Sequence, residues 1–233
     1  MEYPLTDRRL GLIASLVPQG SRLADIGTDH GHLVTALVAS GRVPSAVAAD
    51  LRPGPLAAAR ASGQKLPAAL RGRISYRLGD GLEALAPGEA DVIVLAGMGG
   101  ELIWQLIDRC PFSRDAGLLF LLQPMTRAEE LRAGLAGGGF AILAEDCVIQ
   151  AGRSYTVLSV RYDGVKRHPD ALALWAGRVM EAHTPERAAY LSRQCRTLEK
   201  RIFGLRRAGQ HARAQEYEAA LSQMRRWIGE EGT

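Results

Sequence analysis

The 233-residue sequence predicts an α/β fold: a doubly wound, mostly parallel sheet closed by an antiparallel edge hairpin, then a separate antiparallel helical hairpin. Three observations carry that expectation. Short, nearly continuous apolar runs alternate with helical stretches through residue 136, the pattern of parallel strands covered on both faces. Two later runs are separated only by AGR (151–153), too short for a crossover helix, so they must pair antiparallel at a sheet edge. Two heptad-like segments joined by RRAGQ (206–210) fold back on each other.

Residues 6–17 read as an amphipathic helix, with Leu10, Ile13 and Val17 on one face and Pro18 ending it. The strand runs are RLADIG (22–27), SAVAAD (45–50), RISYRLGD (73–80), DVIVLAG (91–97), GLLFLLQP (117–124), FAILAEDCVIQ (140–150) and SYTVLSVRY (154–162). Helices fall near 31–40, 54–65, 99–109 and 126–136, which makes the sheet seven-stranded. The polar stretch DGVKRHPD (163–170) ends the sheet pattern, giving two predicted domains, 1–165 and 166–233. In the second, Leu191, Cys195, Leu198, Ile202 and Leu205, then Ala214, Tyr217, Leu221, Met224 and Ile228, recur at coiled-coil-like spacing and form the hairpin seam.

A hydrophobic content of 47% supports a real core, while no run approaches the length of a membrane span. The start MEYPLTDRRL lacks the apolar centre of a signal peptide, so the expected location is the cytoplasm, with no membrane partner. Cys110, Cys147 and Cys195 have neither disulfide-framework nor zinc-site spacing, and no metal is expected. The net charge of +4 is uneven: residues 166–233 carry 13 Lys and Arg against 8 Asp and Glu, whereas residues 1–165 have 16 against 17. Such a tail suits a polyanion, or is a solvated basic helix face.

Chemistry concentrates where strands end, because open parallel sheets bind ligands there. LADIGTDHGH (23–32) places Asp25, Gly27 and Gly31 at a tight strand-to-helix turn but puts Asp29 where a dinucleotide loop has glycine. An acid there repels a pyrophosphate and attracts the sulfonium and ammonium of S-adenosylmethionine (SAM); equally, Asp29 could cap the next helix. Asp50 closes the second strand, where a carboxylate accepts both hydroxyls of an adenosine ribose. Asp80, between Gly79 and Gly81, could accept from an adenine amine or simply form a turn. The bare run Ala96-Gly97-Met98-Gly99-Gly100 permits close approach of a ligand. Gln123-Pro124 could read a base edge or satisfy a turn; His30 and His32 could serve as a base or lie at the surface. Together with the antiparallel edge hairpin, these ends predict a Rossmann-like class I SAM-dependent methyltransferase fold. The Asn/Asp-Pro-Pro-aromatic signature used for exocyclic amines is absent; no Pro-Cys nucleophile stands at a strand end, and Cys110-Pro111 lies at a helix end instead, which argues against covalent attack on a pyrimidine.

DIGTDHGHL, the GDG at 79–81, AGMGG at 96–100 and LQP at 122–124, followed by the basic helical hairpin, resemble the bacterial TrmK family of tRNA adenine-N1 methyltransferases along essentially the whole chain. The resemblance implies methyl transfer from SAM to N1 of adenine 22 at the base of the tRNA D-arm, with tRNA as the partner and no protein partner. It implies Asp29 beside the methyl donor and target base. It also implies a cofactor site of Asp25, Gly27, Asp29, Gly31, Asp50, Leu51, Asp80, Gly81, Ala96, Gly97 and Met98. His30, Gln123 and Pro124 would face the substrate, and Arg193, Arg196, Arg201, Arg206 and Arg207 would hold RNA phosphates. The chain departs from the family pattern at His32 and Val34, usually Tyr and Pro, and at Met125, usually Asn.

Adenine N1 attacks through an in-plane lone pair and needs no prior deprotonation, so positioning can supply much of the acceleration. The ring becomes cationic, and Asp29 is expected to stabilise that charge rather than act as an obligatory base. The target must be unpaired or flipped, at a cost of about a few kcal/mol. Rival readings are a SAM methyltransferase for another RNA, a small molecule or a protein, and a non-catalytic RNA-binding module with a methyltransferase-like fold.

Overall fold

The computed structural model describes residues 5–182 and 184–231. Helix α1 (Arg8–Leu16) opens it, capped by the Asp7 carboxylate, which accepts from the backbone N–H groups of Arg9 and Leu10 at 2.8 and 3.2 Å. There follow β1 (Leu23–Ile26), α2 (His32–Ala39), β2 (Ala46–Asp50), α3 (Pro53–Gly63), α4 (Ala68–Arg71), β3 (Ile74–Leu78), β4 (Val92–Gly99), α5 (Gly100–Asp108), β5 (Leu119–Thr126), α6 (Ala128–Gly137), β6 (Phe140–Gln150) and β7 (Arg153–Tyr162). The strands form one seven-stranded sheet in the order β3-β2-β1-β4-β5-β7-β6. The first five are parallel, and β7 runs antiparallel to both β5 and β6.

Period-two alternation divides the core into two layers. Ala24, Ile26, Ile93, Leu95, Phe120 and Leu122 pack against α5 and α6 through Ile103, Leu106, Ile107, Leu131 and Leu135. On the opposite face, Leu23, Val92, Val94, Leu119 and Leu121 meet Ile13 and Val17 of the α1 region and Leu33, Val34, Leu37 and Val38 of α2. Val34, one of the departures from the family pattern, is thus a core residue, with no exposed surface.

Two local readings change. The edge hairpin closes through only Ala151 and Gly152, with Gln150 opposite Arg153, so the third residue of the expected link belongs to β7. The strands expected to stop at 97 and 124 continue to Gly99 and Thr126, because β4 and β5 keep pairing past bulges at Ala96/Met98 and Met98/Gly99.

Beyond the sheet, α7 (Ala171–Ala176) and a 3₁₀ turn (Gly177–Glu181) precede the long helices α8 (Arg187–Arg207) and α9 (His211–Glu231). Leu191, Cys195, Leu198, Ile202 and Leu205 are buried against Ala214, Tyr217, Leu221 and Met224, as the spacing predicts. All three cysteines are free and buried.

A buried polar network joins these helices to the sheet. Arg132 of α6 donates from Nε to Glu145 Oε2 at 3.2 Å, from Nη2 to Tyr190 Oη at 3.0 Å, and from Nη1 to the Leu174 carbonyl. Glu145 of β6 also accepts from the Thr156 hydroxyl at 2.7 Å and from the Arg178 backbone N–H at 3.0 Å. Burial alone would lower the Arg132 pKa, but Glu145 and Tyr190 outweigh it and hold the guanidinium charged. Burial pushes the Tyr190 phenol up to about 12, so it stays neutral. Gly177 makes room for the pair: its φ is +60°, and a Cβ there would lie 2.2 Å from Glu145 Oε2 and 2.5 Å from Arg132 Nε.

Candidate active site

The carboxyl ends of β1 to β5 enclose two abutting cavities. The first, of about 320 Å³, is lined by Asp50, Leu51, Asp80, Gly81, Ala96, Gly97 and Met98, among others. The second, of about 560 Å³, reaches from Asp25, Gly27 and Asp50 past Asp29, His30, Gly31 and His32 to Arg9 and Met125. Gly27, Asp50, Arg52, Ala96 and Gly97 line both, so every cofactor residue expected from the sequence falls on one continuous cleft.

Its floor is backbone. Gly27 follows β1 with a φ of +76°, and a Cβ there would come 2.2 Å from the Met98 methyl. The acids differ in setting. Asp25 is buried at the end of β1; desolvation, with repulsion from Asp50 adding, pushes its carboxyl up to about 6. Asp50 is also buried and accepts the Arg52 backbone N–H at 2.8 Å, with the Arg52 Nε 3.7 Å away. Asp80 lies nearer the rim and pairs with Arg109 at 2.8 Å. Leu51 stands 64% exposed at the edge.

Asp29 is not a helix cap. Helix α2 starts at His32 with Gly31 as its N-cap, and no side chain bonds to that cap. The Asp29 side chain is 79% exposed, and His30 Nε2 stands 3.5 Å from its carboxylate. The His30 and His32 rings stack with centroids 5.6 Å apart. The second cavity therefore carries four aspartates, Asp7, Asp25, Asp29 and Asp50, against Arg9 and Arg52. Buried and rim acids around a glycine-bare floor fit SAM, whose sulfonium and ammonium are cationic and whose ribose offers two hydroxyl donors.

Gln123 does not face that cleft. It is fully buried: Oε1 accepts from Arg9 Nη1 at 3.0 Å and from the Gly97 backbone N–H at 3.1 Å, while Nε2 donates to the Pro124 carbonyl at 2.9 Å. With both ends of the amide engaged inside the protein, Gln123 braces the floor instead of reading a base edge. Pro124 is likewise buried and lines a third groove with Met125 and Arg193. Arg193 is the tail arginine that reaches the strand-end region. Arg196 is exposed on α8; Arg201 lies toward the hairpin turn beside Gln210 and Arg213. Arg206 pairs with Glu218 at 2.6 Å, and Arg207 sits over the Phe203 ring.

Sequence reasoning missed Arg9, Arg52 and Arg109. Arg9 sits on the polar face of α1, and only the packing of α1 against β6 and β7 carries it to the ends of β4 and β5, with its guanidinium 5.7 Å from the Tyr155 ring centroid. No local spacing signals that. Among the described residues, no cluster of His, Cys, Asp or Glu could hold a metal ion, and no helix is long and apolar enough to cross a membrane.

A methyltransferase-domain family model matches residues 6–158. The tRNA (adenine(22)-N(1))-methyltransferase of Bacillus subtilis is 32% identical over 173 residues, 74% of this chain and 72% of that protein. The chain belongs to the TrmK family. The crystal structure of the B. subtilis TrmK, 26% identical, superposes with a TM-score of 0.77 over 98% of this chain and 99% of that one. Streptococcus pneumoniae Sp1610, solved in complex with S-adenosyl-L-methionine, is 29% identical with a TM-score of 0.80 over 94% and 99%. The match to TrmK thus extends through α8 and α9, beyond the residues that the methyltransferase-domain model spans.

Proposed function

We propose that this chain transfers a methyl group from SAM to N1 of adenine 22 in tRNA. The observation that carries the reading is Asp29, an exposed acid with no capping duty at the mouth of a glycine-floored, acid-lined cleft in a TrmK-family chain. When bound, SAM supplies an electrophilic methyl group on a sulfonium. Asp50 holds the ribose hydroxyls and Asp80 meets the adenine edge of the cofactor, while Gly27, Gly81, Ala96, Gly97 and Met98 let it lie against backbone. Gly31, as the N-cap of α2, and Leu51, at the rim, complete that wall. Asp25 adds negative charge beneath the cationic group.

The target adenine enters from the side of His30 and Met125. Its N1 lone pair attacks without a base, and Asp29 orients the ring and favours the positive charge that develops on it. Gln123 acts through others, holding Gly97 and Arg9 in place. Arg193, Arg196, Arg201, Arg206 and Arg207 contact tRNA phosphates and offset the cost of exposing the base.

The test uses methyl-labelled SAM with an unmodified tRNA transcript and with the same transcript carrying guanine at position 22. Label on N1 of adenine in the first and none in the second is expected. Label that survives the change refutes the assigned position.

A further inference from the structure

A third cavity, of about 340 Å³, lies between the ends of β5 and β7, the start of α6 and the flank of α8. We infer that it is the groove for the tRNA strand beside the target adenine, with one phosphate seated against the Arg193 guanidinium; this rests on the adenine-methylation reading above.

Continuity with the cleft is the first argument. Met125, 42% exposed, lines both this groove and the cavity that holds Asp29, so a base entering the cleft leaves its chain at the groove's edge. The second is chemistry. Thr126, Ser154, Gln194 and Thr197 offer hydrogen-bonding groups and the floor is Thr156 and Tyr190, so the lining suits a sugar-phosphate strand and not an apolar helix.

Charge is the third. Arg127 on the same groove is neutralised by Glu101, and Arg178 and Arg225 each have a glutamate partner. The exposed Arg193 guanidinium makes no ion pair or hydrogen bond among the described residues. Glu129 is the one acid in the lining. An arginine fork with nothing to hold is a ready phosphate ligand.

Rigidity is the fourth. The floor hydroxyls of Thr156 and Tyr190 are bonded into the buried Glu145–Arg132 pair, so α8 is held at a set distance from β5 and the groove exists before RNA arrives. The volume lies at the lower end of the roughly 300–1,000 Å³ range of ligand sites, enough for one nucleotide's backbone but not for a duplex.

A thermodynamic cycle tests this. Single methylphosphonate linkages, which remove one phosphate charge, are placed at either phosphate flanking adenine 22, and kcat/KM is measured for wild type, Arg193→Gln and Arg207→Gln. Arg193→Gln and one of the two linkages should each lower kcat/KM about tenfold or more, the scale of a lost charged hydrogen bond. Combined, they should cost no more than either alone, whereas Arg207→Gln and the same linkage should multiply. Multiplying effects of Arg193→Gln at both linkages, or no effect of Arg193→Gln, overturns the groove assignment alone. Absence of adenine-22 methylation by the wild-type chain on unsubstituted tRNA overturns the adenine reading and the groove with it.

Discussion

At the ends of β1, β2 and β4 the ligand-facing surface is mostly backbone and buried or rim carboxylates, whereas α8 and α9 present long, solvated arginines on an otherwise ordinary helix pair. The first region recognises by shape: a methyl group added at Gly27 collides with Met98. In the proposed reading the second recognises by charge summed over several flexible side chains, and Arg193, seated in its groove, is the one whose loss is felt singly. A rigid site therefore concentrates the cost of substitution in a few positions, while an electrostatic surface spreads it.

The joint between the two regions should show the largest effect. Glu145→Gln leaves the Arg132 guanidinium buried without its counter-charge, and should cost about 3–5 kcal/mol in chemical denaturation. The exposed Arg22–Asp91 pair is the control, since Arg22→Gln should cost less than about 1 kcal/mol. If the Glu145→Gln chain melted in two separate transitions, the hairpin would be an independent unit rather than one welded to the sheet.

Next comes the rigid site itself. Asp29→Ala should lower the single-turnover methylation rate by about 10² to 10³ at saturating SAM, the range for losing one preorganised electrostatic partner. Near-normal turnover would strip Asp29 of its role. Gly27→Ala should weaken SAM binding by about tenfold through backbone strain and displacement of Met98; calorimetric titration of SAM reads this out.

A smaller, pH-dependent effect separates the regions by titration. The Asp25 carboxyl is pushed up to about 6 in the folded chain against an ordinary value of 3.8, so the folded state binds its proton more tightly. Its contribution to stability is fully present below the unfolded value and is lost as pH rises through about 6. The cationic cofactor favours the ionised acid, so SAM affinity should rise over the same interval. Asp25→Asn should flatten both profiles; a wild-type affinity that is constant from pH 5 to pH 7 would contradict the burial argument.

Arg207→Gln should do least. Loss of one exposed phosphate contact should weaken tRNA binding by less than about threefold and reduce the salt slope by about one. A tenfold loss would make that arginine a specific anchor and end the contrast with the cleft.

Much of this was legible locally. Strand alternation placed β1 to β7 within a few residues, the heptad spacing picked out the α8 and α9 seam, and the acids and glycines at strand ends fall on the cleft at the carboxyl ends of the parallel strands. Gln123 was legible as a strand-end amide but not as a buried brace, because its partners Arg9 and Gly97 lie 114 and 26 residues away. Asp29 carried two readings in sequence, cap or ligand acid, and the helix start at His32, with Gly31 as N-cap, removes the first.

The sequence by itself determined the fold class, the order of the strands' functional ends and the basic character of the tail, because periodicity, turn length and charge are properties of neighbouring residues. The tertiary structure alone decided that Arg9 reaches the cleft, that Glu145 and Arg132 weld the hairpin to the sheet, and that Arg193 rather than the arginines nearer the hairpin turn lines the groove beside Met125. Those depend on which elements pack together, and a buried ion pair or a shared groove arises only once burial has removed water from groups far apart in the chain.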